Sequence, residues 1–107
     1  MNVEEAQLEQ MLWDIERDNV SGSVRMARKT AALLEAAGAF AEENGRDLQE
    51  EIAKWARAAA NAHPFMALVR TVGRRSRKAT SLNDLGNRME HLRWELTNAN
   101  DRIGEHM

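Results

Sequence analysis

Leu8, Met11, Leu12 and Ile15 recur at i, i+3, i+4 and i+7, the spacing that aligns apolar side chains on one helical face, and predict a first helix over about residues 3–17. The stretch Asp18 to Gly22 interrupts that pattern. Val24, Ala27, Ala31, Leu34, Ala37 and Ala41 resume it in a longer second helix, which Asn44-Gly45 closes because glycine tolerates the left-handed conformation at a helix end. Asp47 is expected to cap a third helix, with Glu50 reaching back as in a capping box, and Leu48, Ile52, Trp55, Ala59 and Ala62 form its buried face.

Pro64, the single proline, lacks an amide hydrogen and suits the first turn of a helix, so a short fourth helix is predicted to start there. Phe65, Leu68, Val69 and Val72 give it an apolar face, and Gly73-Arg74-Arg75-Ser76-Arg77-Lys78 reads as its frayed basic end and a linker. Ser81 caps a fifth helix, with Asp84 in the positive first turn, and its seam is Leu82, Leu85, Met89, Leu92, Leu96, Ala99 and Ile103. With no strand pattern and no internal repeat, the expectation is an all-α fold. It is a small bundle of about five helices forming a single domain over residues 1–107.

Composition narrows the chemistry. The chain has no cysteine, which excludes disulfides, thiolate metal sites and a cysteine nucleophile. His63, His91 and His106 show no metal spacing, and His91 with Glu95, four apart on one helix, makes only two ligands. No metal and no cofactor are expected. No apolar run approaches the ~20 residues of a membrane span, and the acidic start lacks the basic opening of a signal peptide; the expectation is a cytoplasmic protein without a membrane partner. The net charge of −2 conceals an asymmetry. Residues 1–51 hold 12 acids against 5 bases, whereas residues 52–83 hold seven bases and no acid. Such a segment either pairs internally or recognises an anion.

Two helix starts are candidate anion sites. Ser21-Gly22-Ser23 places bare amides and the positive end of a helix macrodipole beside a glycine that lets an anion approach; the alternative is that a serine is simply an N-cap. His63-Pro64 offers a second start, where the imidazole can donate to a phosphate or just cap and pack. The run Gly73 to Lys78 can touch nucleic-acid phosphates, but none of the five aromatics interleaves with it to stack bases, so a solvated basic turn is the preferred reading. The fifth-helix seam serves either as core or as a homodimer interface, and Trp13 and Trp94 fall off the apolar faces, as suits a partner surface.

In order and spacing, Asp14-Ile15, the stretch VSGSVRMARKTAALL, the stretch AANAHPFMALVRTV and the long helix ending NDRIGEH resemble the N-terminal helical domain of the translation initiation factor two-B α/β/δ family, which includes ribose-1,5-bisphosphate isomerase and methylthioribose-1-phosphate isomerase. The similarity spans about residues 8–106. It implies a longer architecture in which a Rossmann-like domain, absent here, follows. It also implies phosphate contacts from Ser21, Gly22, Ser23, His63 and Pro64. Ser21 and His63 stand where the bisphosphate isomerases typically place arginine, so two phosphate-pairing charges are missing. The catalytic cysteine and aspartate of the family belong to the absent domain. The resemblance therefore implies a non-catalytic domain, not an enzyme as it stands, capping a sugar-phosphate or nucleotide-phosphate site on a Rossmann-like domain or partner subunit. A free-standing helical oligomerisation or protein-interaction module is the alternative, and RNA binding through residues 70–78 a further one.

Overall fold

The computed structural model describes the backbone of residues 3–106 and the side chains of residues 3–98. Five helices follow one another: α1 (Glu5–Arg17), α2 (Ser23–Glu43), α3 (Leu48–Ala62), α4 (Ala67–Arg77) and α5 (Leu82–His106), with no strand among the described residues. The all-α bundle is as expected. α2 is its axis and packs against all four other helices, which surround it in the order α1, α3, α4, α5.

That central place explains the composition of α2. Beyond the predicted stripe it buries Met26, Thr30, Leu33 and Phe40, so more than one face is covered. Its alanines and Gly38 let neighbours come close: a Cβ at Gly38 would lie 2.6 Å from Leu85 Cδ2. The buried Thr30 hydroxyl donates to the Met26 carbonyl at 2.9 Å and so leaves no unsatisfied group. The α5 seam is used in the same way. Leu85, Met89, Leu92 and Leu96 are buried in the common core, whereas Ala99, Ile103 and His106 have side chains outside the described residues.

Two helix ends follow the sequence closely. Gly45 adopts φ 63°, and the amide of Arg46 donates to the Ala41 carbonyl at 2.8 Å, which closes α2 as a Schellman motif. Ser81 Oγ accepts from the Asp84 amide at 3.0 Å, while Asp84 Oδ2 accepts from the Thr80 amide, so α5 starts with reciprocal capping. α3 departs from expectation: Asp47 takes the N-cap position but makes no side-chain cap bond. The buried acid of that turn is Glu51, not Glu50, and it accepts from Trp55 Nε1 and from Arg46, each at 3.2 Å.

α4 differs at both ends. It begins at Ala67, not at Pro64, because the Met66 amide closes a turn on the His63 carbonyl before the helix starts. Phe65 consequently lies in the turn, 97% exposed, and not on the apolar face. The basic run is neither frayed nor a linker, since α4 continues through Arg77. Gly73 and Ser76 anchor it. A Cβ at Gly73 would lie 3.1 Å from that of Ala56 on α3, and the buried Ser76 hydroxyl donates to the Val72 carbonyl at 2.7 Å.

Candidate functional site

Between α1 and α2 the chain binds an anion of its own. The Asp18 carboxylate accepts from the amides of Val20 and Ser21 at 3.0 and 2.9 Å, from Ser21 Oγ at 2.6 Å and from Lys29 Nζ at 2.6 Å. The Lys29 hydrogen bond, then those from the Ser21 hydroxyl and the two amides, hold this carboxyl well below the usual carboxylate range. Ser21 is thus committed to fixing the turn. Neither serine is the N-cap: Gly22 holds that position at φ −73°, and Ser23 is the first residue of α2.

Since Gly22 has no side chain to cap with, the amides of Ser23, Val24 and Arg25 have no acceptor among the described residues, and the first helical bond is from Met26 to the Gly22 carbonyl at 3.0 Å. These amides border an open concavity of about 490 Å³ lined by Gly22, Ser23, Val24, Arg25 and Arg28. Arg28 is oriented by a 2.8 Å hydrogen bond to the Thr97 hydroxyl of α5, whereas Arg25 is exposed. A Cβ at Gly22 would meet nothing within 4 Å, so the backbone is accessible from outside.

The second candidate, His63-Pro64, lies at the same end of the bundle. His63 Nε2 is 2.6 Å from the carbonyl oxygen of Ile15, in the last turn of α1. A carbonyl only accepts, so this nitrogen carries the proton and donates. The imidazole therefore staples the α3–α4 turn to the end of α1, three residues before Asp18. Pro64 is exposed outside α4, and its carbonyl accepts from Arg70. Val20 and Phe65, 96% and 97% exposed, stand one in each turn.

The structure thus brings Ser21, Gly22, Ser23, His63 and Pro64 to one end, in different roles. Gly22 and Ser23 present open backbone; the amide and hydroxyl of Ser21 and the donating Nε2 of His63 are spent on the chain itself. Asp18, Arg25 and Arg28 complete the site and were not singled out from sequence. Arg25 and Arg28 are three apart on α2, a pairing legible once the helix start is known. Asp18 gave no comparable signal, because its acceptor role depends on the turn conformation.

A concavity of about 710 Å³ between α2 and α5 contains none of these groups. Its charged lining is Glu35, Glu42, Glu90 and Arg93, the last already paired with Glu35, so its field disfavours a phosphate. His91 and Glu95 lie 3.3 Å apart, but Glu95 also pairs with Arg75, which is the main cause of its lowered carboxyl pKa. Among the described residues no three His, Asp or Glu side chains are grouped to hold a metal, and no helix is long and apolar enough to cross a membrane. Compared with protein-family models, curated proteins and solved structures, the chain has no significant match.

Proposed function

We propose that this chain is a non-catalytic helical domain that closes over a phosphate-bearing ligand on a Rossmann-like domain or subunit, as the resemblance to initiation-factor-two-B-like proteins implies. The observation that carries the reading is the open start of α2: three amides without acceptors among the described residues, at the positive end of a 21-residue helix, beside Arg25 and Arg28. The two arginines take the place of the charges missing at positions 21 and 63. Ser21, His63 and Pro64 act as the frame. The exposed Val20 and Phe65 at the same end offer apolar contacts to the partner, and the partner supplies the rest of the ligand site.

Binding by the isolated chain is expected to be weak, on the order of millimolar, since one helix start and two arginines provide only a few kcal/mol. Calorimetric titration with ribose 5-phosphate tests the assignment through two variants. Gly22→Val places a branched side chain beside the amides, with its Cβ in open space, and should weaken binding more than Arg77→Ala. The reverse order points to the basic face of α4 instead. Turnover of a sugar phosphate by the chain alone would refute the non-catalytic part of the proposal.

A further inference from the structure

The continuation of α4 through Arg77 turns a basic stretch of sequence into a surface of defined geometry. Arg70, Arg74, Arg77 and Lys78 are all exposed and form one arc of α4 that runs from beside Gly73 round to the side away from the buried Val69, Val72 and Ser76. α3 lies alongside, held close where Gly73 meets Ala56, and adds exposed Arg57. None of these five cations has a carboxylate partner among the described residues; Arg70 bonds only a backbone carbonyl. Acids stand at its borders: Glu50 is exposed on the first turn of α3, and Glu95, paired with Arg75, lines a concavity that Lys78 also borders.

We propose that the outer surface of the α3–α4 pair binds the phosphate backbone of nucleic acid. Arg70 to Lys78 span about 12 Å along the helix axis, the length of three to four phosphates at ~3.4 Å rise per strand. Four of the five cations are arginines, whose planar forks match phosphate oxygens. The surface also lacks what other partners require. Among the described residues the exposed large apolar side chains are Trp13, Val20, Phe65 and Trp94, none of them on α3 or α4, so this face has neither the apolar centre of a protein interface nor the wedge of a membrane-inserting helix. Phe65, exposed in the turn beside the Pro64 carbonyl that Arg70 bonds, stands at one end of this face and does not interleave with its cations, so the contact reads the backbone and not the sequence.

Electrophoretic mobility shift of the full chain with an RNA duplex and a DNA duplex of the same sequence tests this. Both duplexes are expected to bind, with log K falling against log salt at a slope of about −3 to −4 and affinity dropping roughly 100-fold between about 50 and 200 mM salt. The triple variant Arg70→Gln, Arg74→Gln, Arg77→Gln alters only exposed positions. It should keep its helicity by circular dichroism and lose most of that slope, while Arg17→Gln on α1 leaves it unchanged. Failure of both duplexes to shift at low salt overturns the proposal. So does binding that survives the triple substitution, or a complex with poly-L-glutamate where neither duplex binds.

Discussion

Replacing His63 with alanine removes the link between the two turns at the candidate site, and the structure fixes how much that should cost. The ring donates one short bond, 2.6 Å, to the Ile15 carbonyl. That carbonyl also accepts from the Asp18 amide at 3.3 Å, so deleting the imidazole does not orphan it. The loss is therefore near the net worth of one hydrogen bond, about 1 kcal/mol, and not the larger penalty of a stranded buried acceptor. Removing a partly buried ring adds packing loss, for a total of about 1–2 kcal/mol. For a domain of this length that lowers Tm by roughly 4–9 °C. Urea unfolding measures the loss, and hydrogen exchange locates it: protection should fall several-fold at Asp18 to Ser21 and at Met66, with little change in the middle of α2. His63→Gln, which retains a donor, should recover part of the loss. A cost below about 0.3 kcal/mol with unchanged exchange in the α1–α2 turn would refute the staple.

Gly86 and Gly73 are both helical glycines, but Gly86→Ala, with nothing within 4 Å of its Cβ, should stabilise by up to about 1 kcal/mol, whereas Gly73→Ala meets Ala56 and should be neutral to destabilising by about 2 kcal/mol. Chemical denaturation of the two variants checks the difference, with Gly86→Ala the more stable. Leu34→Ala, in the fully buried centre of α2, should cost about 2–5 kcal/mol in the same assay; a cost under 1 kcal/mol would contradict the packing. Asp18, Asp84 and Glu95 all have carboxyl pKa values lowered from their ordinary 3.8 and 4.5, so the folded state binds these protons less readily than the unfolded chain. Their stabilisation is complete above those values and is lost as pH falls below them towards the folded-state pKa values. Asp18→Asn should flatten that acid limb, and a wild-type stability that rises on acidification below pH 3.8 would contradict the assignment.

The parts of the fold legible in the sequence are those set by local chemistry. Asn44-Gly45 ended α2 and Ser81 started α5 because each cap is completed within a few residues, and the 3.6-residue period marked Leu8, Ile52 and Met89 as core. What escaped depends on distant partners. Pro64 satisfies the rule for a helix start, yet the turn that closes on the His63 carbonyl postpones α4, and Phe65 is left outside the apolar face. The basic run looked like a linker because nothing local shows Gly73 seated on Ala56, 17 residues earlier in the chain. At the candidate site, the glycine and both serines stood out by residue type, but their division of labour did not. Asp18 occupies Ser21, and Ile15 occupies His63 from 48 residues away, leaving Gly22 and Ser23 as the open groups.

The most direct test of that division is a proton–nitrogen correlation spectrum of the labelled chain titrated with inorganic phosphate at constant ionic strength. The amides of Ser23, Val24 and Arg25 should shift together and saturate with one constant, while Ser21, already bonded to Asp18, shifts least within the turn. Shifts confined to Arg74–Lys78, or no saturable shift at the start of α2, would contradict the account.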